Sequence, residues 1–270
     1  QLTFTQAVQH WEDLNLKETM VKPNTMKRYR NSIGTLASEF ADTRMADIDT
    51  KAIGRWVRMR KKGEVVAVGK PLKPCTNATI RRDLSALSSV FRACMALGVY
   101  HENPVLAWDR SVIPERRSPF YVPTVAQIEA VAAVCPVGLA ALVRFAAYTG
   151  CRQTEAMELQ WRNVRPERGE VRFMHTKTGK ARVIALKSLG GDARPAVKAL
   201  PRHIGVPWVF WHHMGTPYKH LSQRWRELHA TAAQEEGKRR RELPYFNFHK
   251  LRHAFAIRWL EAGGDIYALS

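Results

Sequence analysis

Apolar residues recur at helical spacing through the first part of the chain. Ala7, Val8, Trp11 and Leu14 form one stripe, and Thr5 stands where it can cap that helix. Tyr29, Ile33, Leu36 and Phe40 form a second stripe, opened by Asn24 or Thr25. Ile53, Trp56 and Val57 form a third, opened by Asp49 or Thr50. Residues 61–74 break the pattern with Gly63, Gly69, Pro71 and Pro74 and read as a flexible basic loop. A long helix over 76–97 follows, with Ile80, Leu84, Leu87, Val90, Phe91 and Met95 inward and Gly98 at its end. Residues 1–112 therefore read as one all-helical domain. A proline-rich, charged linker over 113–123 follows it, with Pro114, Pro119 and Pro123.

The pattern changes beyond Thr124. Thr124 and Gln127 make a capping box ahead of Ile128, Val131 and Val134, and residues 138–149 are apolar enough to be a core helix. Two short runs of strand character, 170–174 and 181–186, flank His175-Thr176-Lys177-Thr178-Gly179-Lys180, which predicts a hairpin with a lysine at its tip. A short helix over 193–200, a buried run over 208–211 and an amphipathic helix over 220–233 come next. That last helix carries Leu221, Trp225, Leu228 and Ala232 inward. A basic loop at 238–241 leads to a final helix from Lys250, striped by Leu251, Phe255 and Trp259. The predicted class is α+β and mostly helical: a helical N-terminal domain, then a mixed domain with a small antiparallel sheet over 124–270.

Charge narrows the function. The 270 residues carry 43 Lys and Arg against 24 Asp and Glu, a formal net charge of +19 and a pI near 10.2. A balance that basic points to a polyanionic partner, above all nucleic acid. Lys27, Arg28, Arg30, Arg58, Arg60, Arg81, Arg82 and Arg92 give the helical domain a basic face suited to DNA phosphates. No apolar run reaches the roughly 18 residues of a membrane span, and no signal peptide opens the chain. Cys75, Cys94, Cys135 and Cys151 lack Cys-x-x-Cys spacing and read as reduced thiols in a cytoplasmic protein. His203, His212 and His213 share no helical or hairpin spacing with a Cys or acidic ligand, so no metal is expected.

Three stretches carry candidate chemistry. Tyr148-Thr149-Gly150-Cys151-Arg152-Gln153-Thr154-Glu155 reads as a helix end, a Gly turn and a new helix. It puts Arg152 in a first turn whose backbone N–H groups favour an anion. The Lys177 turn is the second. In the third, His249 and Arg252 stand three apart on one helix face, a titratable imidazole beside a permanent planar cation. Two guanidiniums can hold the non-bridging oxygens of a phosphate as charge builds during in-line displacement.

The order Thr-Gly-x-Arg-x-x-Glu, then Thr-Lys-Thr-Gly-Lys-x-Arg-Val, then His-x-Leu-Arg-His-x-Phe-Ala resembles the catalytic domain of the tyrosine recombinase (phage integrase) family. Asn103-Pro104-Val105 is similar to the end of that family's helical core-binding domain. The resemblance implies site-specific DNA recombination or integration, with strand cleavage and rejoining through a 3′-phosphotyrosine and no cofactor. It implies catalytic roles for Arg152, Lys177, His249 and Arg252. Lys177 would protonate the leaving 5′-oxygen, and His249 would accept the proton of the attacking phenol or bond the phosphate. Glu155 would support the arginines, and His253 would be structural. Lys180, Arg182, Arg81, Arg82, Lys27 and Arg28 would contact DNA. The partners implied are double-stranded DNA bearing a specific core site and further copies of the chain, as a tetramer on paired sites. Both ends read as cut, and the family's nucleophilic tyrosine lies beyond residue 270. Tyr267 is too close to Arg252 and reads as a packing residue. The stretch by itself is therefore expected to bind DNA without cleaving it. A type IB topoisomerase, or a DNA-binding relic without a nucleophile, are the competing readings.

Overall fold

Thr3, not Thr5, opens the first helix. In the computed structural model, which describes residues 2–17, 22–67, 69–115, 120–174, 181–213 and 215–269, the Gln6 side chain accepts the Thr3 N–H at 2.9 Å while Thr3 Oγ1 accepts the Gln6 N–H at 3.4 Å. Helix α1 then runs Phe4–Lys17. Thr5 turns its hydroxyl instead to the carbonyl of Ala41 at 2.8 Å. The chain divides into two compact units, Gln1–Ser118 and Pro119–Ser270.

The first unit is helical. Helix α2 (Pro23–Phe40) begins at its proline, one or two residues ahead of the expected Asn24 or Thr25 cap. The fixed φ of proline suits a first helical position, where a missing N–H costs nothing. Asp49 caps α3 (Thr50–Lys62), accepting the Ala52 N–H at 2.7 Å. The expected loop over 61–74 is shorter and more ordered than its composition suggests. Helix α3 runs to Lys62, and β1 (Val66–Ala67) pairs antiparallel with β2 (Lys70–Pro71). Thr76 caps α4 (Asn77–Ala96), and a short α5 (Pro104–Ala107) follows. Ile80, Leu84, Leu87, Phe91 and Cys94 hold the inward stripe of α4, which leaves Met95, expected inward, 39% exposed. Arg60, expected on the basic face, is instead buried against Asp83, with Nε and Oδ2 3.7 Å apart and neither atom hydrogen-bonded.

The second unit is built around α7 (Val137–Thr149), which is buried along most of its length through Leu139, Leu142, Val143, Phe145 and Ala146. Helix α6 (Val125–Ala133) packs against it and starts with the expected Thr124–Gln127 capping box. After the short α8 (Gln153–Met157), strands β3 (Val164–Arg165), β4 (Glu170–Phe173) and β5 (Arg182–Ala185) form an antiparallel sheet in that order. Its register sets Phe173 opposite Arg182. Strands β6 (Lys187–Ser188) and β7 (Gly191–Asp192) make a second small ladder beside α7. Then come α9 (Arg194–Lys198) and the pair β8 (Trp211–His212) and β9 (Thr216–Pro217). Helices α10 (Leu221–Lys238) and α11 (Lys250–Glu261) complete the unit, with Trp225, Leu228 and Leu251 in its core. Among the described residues no helix is long and apolar enough to cross a membrane. The α+β, mostly helical class with small antiparallel sheets is the one read from the sequence.

Candidate active site

Helix α7 stops at Gly150, whose φ of +62° a side chain would resist. Space forbids one as well, because an added Cβ would meet the Phe255 ring at 2.3 Å. Gly190, on the β6–β7 turn, stands equally close to the same ring at 2.3 Å. Phe255 thus lies between two bare backbones and seats α11 against the end of α7. Two arginines of α11 bond carbonyls there: Arg252 Nη1 donates to Gly150 O, and Arg258 donates to Ala147 O and, at 3.0 Å, to Gly190 O. The last carbonyls of α7, which have no partners within the helix, are met by cations.

The chain turns out of Gly150 into Arg152, which caps α8. Here the structure differs from the expected backbone anion site. The Arg152 N–H itself, at the cap position, donates to Glu155 Oε2 at 2.8 Å. Glu155, with a side chain 2% exposed, also accepts Arg152 Nη1 at 2.8 Å and Arg182 Nη2 at 2.6 Å. Burial opposes its charge. The Arg152 backbone bond, the Arg152 guanidinium and Arg182 outweigh burial and hold its pKa below the ordinary carboxylate value.

Arg182 was expected on the DNA backbone, yet its guanidinium turns inward to Glu155 and over the Phe173 ring, 5.6 Å from the centroid. A signal for this existed. In β5, Arg182 shares its face with Ile184, which packs on the core, so alternation aims it at the protein. Arg252 feels both other arginines. Burial first, then Arg182 and Arg152, lower its pKa, while Glu155 partly restores it. Arg152, Arg182 and Arg252 thus gather about one carboxylate, leaving two positive charges unbalanced.

His249 precedes α11 at the edge of this cluster. Burial, and then the charges of Arg252, Lys250 and Arg152, push its pKa below the ordinary histidine value, which favours the neutral imidazole. The His253 ring stands edge-on to it at 4.9 Å and rests in turn against Phe120 at 5.0 Å. Cys151 lies among these groups but is no nucleophile, since burial pushes its thiol up to about 12.

The remaining candidates lie elsewhere. Lys177 and Lys180 fall outside the described residues. Lys27, Arg28 and Arg82 are exposed on α2 and α4 of the first unit. Arg81, half-buried, donates to Ile113 O at 2.7 Å and Arg110 O at 3.2 Å, tying down the chain after α5. Tyr267, expected to fill a packing slot, is 83% exposed in the turn Ile266–Leu269.

No curated protein matches the sequence. Among solved structures, a lambda integrase dimer bound to a COC′ core site superposes with a TM-score of 0.77 at 18% identity, covering 99% of this chain and 93% of that one. A lambda integrase tetramer bound to a Holliday junction gives 0.78 at 18%, covering 99% and 76%. The Tn1549 transposon integrase in complex with circular intermediate DNA gives 0.74 at 18%, covering 97% and 89%. At this identity the likeness is one of fold. The model of the phage integrase family matches residues 124–270, more than half of the sequence, and the chain belongs to that family.

Proposed function

We propose that this protein breaks and rejoins DNA at a specific core site as a tyrosine recombinase. The observation that carries the reading is the arginine cluster on Glu155. Its two unbalanced positive charges suit a phosphodiester that enters with one negative charge and gains more in the displacement. Arg152 and Arg252 hold the non-bridging oxygens. Arg182 and Glu155 keep the two guanidiniums aimed. A tyrosine hydroxyl attacks phosphorus, the bond to the 5′-oxygen breaks, and a 3′-phosphotyrosine forms. Neutral His249 takes the phenolic proton or bonds the phosphate, and Lys177 gives a proton to the leaving oxygen. The lambda and Tn1549 structures are DNA complexes, lambda integrase being a dimer on a core site and a tetramer on a Holliday junction. For this chain the corresponding partners are duplex DNA and further copies of itself, four on paired sites. The exposed Lys27, Arg28 and Arg82 contact phosphates.

The test uses the protein extended past residue 270 so that it carries the nucleophilic tyrosine, with a duplex bearing the core site and a nick that traps the cleaved strand. A protein–DNA adduct that survives denaturation is expected, and peptide mapping identifies its tyrosine. Arg152→Ala and Arg252→Ala should each slow adduct formation by at least about 10²–10³-fold, the loss typical of one donor to a developing oxyanion. Tight binding without any adduct would make this a non-catalytic DNA-binding protein. An adduct that relaxes supercoils but never joins paired sites would make it a topoisomerase.

A further inference from the structure

His249 stands at the end of a segment, residues 242–249, that forms neither helix nor strand. What fixes it comes from α10. Trp225 Nε1 donates to Phe246 O at 2.7 Å, and His229 Nε2 accepts the Phe246 N–H at 3.4 Å. Among the described residues, neither Phe246 group has a backbone partner. Buried peptide groups need partners, and two side chains one helical turn apart supply both of them here. Trp225 and His229 are each only 2% exposed. Their rings also lock the flanking residues: Trp225 meets Phe248 at 5.2 Å, and His229 meets Tyr245 at 5.0 Å and Phe246 at 4.8 Å. To accept at Nε2, His229 must be neutral, and burial lowers its pKa in that direction.

We propose that Trp225 and His229 are positioning residues that set the place of His249 by gripping the Phe246 peptide three residues ahead of it. Neither touches the reacting phosphate. The assignment of catalytic work to His249 rests on the function proposed above; the grip itself does not. With Phe246 pinned on both sides and Phe248 packed on Trp225, the chain has little slack before His249. Displacement of a catalytic group by about 1 Å can cost about 100-fold in rate.

The first test needs no catalysis. The His249 imidazole is followed by nuclear magnetic resonance in the full chain, where Arg152, Lys250, Arg252 and His253 surround it. Trp225→Phe keeps a ring but loses the donor, His229→Leu loses the acceptor, and His229→Gln keeps one. Trp225→Phe and His229→Leu should shift the His249 resonances and return its titration toward the ordinary histidine value, and His229→Gln should restore them. An unchanged His249 in the folded Trp225→Phe protein overturns the proposal, whatever the protein does to DNA. The second test is adduct formation by the protein extended past residue 270 to carry its nucleophilic tyrosine. Trp225→Phe should slow it by about 10- to 100-fold at unchanged DNA affinity, and should cost nothing further in a His249→Ala background. An equal loss in that background would mean that Trp225 acts on the fold and not through His249. If even the unaltered protein forms no adduct, the proposed function fails, while the resonance test still decides the grip.

Discussion

Asp83 in the first unit and Glu155 in the second are both carboxylates buried against arginine, and the two sites are built in opposite ways. Asp83, in the helical unit, faces Arg60 at 3.7 Å with Arg60 Nε and Asp83 Oδ2 both lacking hydrogen bonds, and burial raises its pKa despite Ser32, Arg60 and Arg82. Glu155, in the second unit, accepts three bonds of 2.6 to 2.8 Å, and its pKa is lowered. Burial is similar at the two sites; the difference is the number of aimed donors. An ion pair that is only nearby does not offset desolvation, whereas one with converging hydrogen bonds does. The first arrangement is a cost carried by the fold. The second is a scaffold that concentrates positive charge where a phosphate would lie.

The largest expected effect comes from breaking the better-built site. Glu155→Ala leaves Arg152 and Arg182 without their shared partner. It should lower unfolding stability by about 3 kcal/mol, the low end for breaking a buried pair because both arginines keep some solvent. Denaturant unfolding measures this, and DNA cleavage should fall with it. Next, replacing both members of the poorer pair, as in the double variant Arg60→Met with Asp83→Leu, should be neutral or stabilising by about 1–2 kcal/mol; a loss of several kcal/mol would show that the pair holds the helical unit together.

A third effect is pH dependence of opposite sign. Glu155, with its lowered folded pKa, contributes stability that is present above the ordinary glutamate value of about 4.3 and lost as pH falls through the folded value. Asp83, with its raised folded pKa, contributes stability that is full below the ordinary aspartate value of about 3.9 and lost as pH rises through the folded value. Hydrogen exchange read separately on α4 and α7 should therefore show Glu155→Gln losing ground on the unaltered protein as pH rises toward about 4.3, and Asp83→Asn gaining on it as pH rises above about 3.9. The smallest effect separates outward arginines from inward ones. Arg82→Ala should reduce the salt dependence of DNA binding by about one phosphate's share, a slope change of about 0.9. Arg81→Ala should leave that slope alone and raise hydrogen exchange around Ile113.

The same contrast explains what was legible in the sequence. Arg152 and Glu155, three apart, and His249 and Arg252, three apart, could be read because one helical turn brings such pairs together without help from the rest of the fold. The Thr124–Gln127 box and the Asp49 cap were local for the same reason. Arg60 and Arg81 were indistinguishable from exposed arginines because their partners, Asp83 and Ile113, are distant in sequence; strand alternation marked Arg182 as inward but could not name Glu155 as its partner. The grip of α10 on Phe246 was hidden in the same way. Trp225 read correctly as a core residue, but nothing in the spacing of apolar positions says where an indole N–H will find its acceptor.

The seat of Phe255 has a consequence for how this sequence can drift. Gly150 and Gly190 hold no charge and touch no phosphate, yet an added methyl group at either would displace the ring that sets α11 against α7, and with it Arg252. In a saturation scan of this chain, the two positions without side chains should therefore rank with the arginines among the least replaceable.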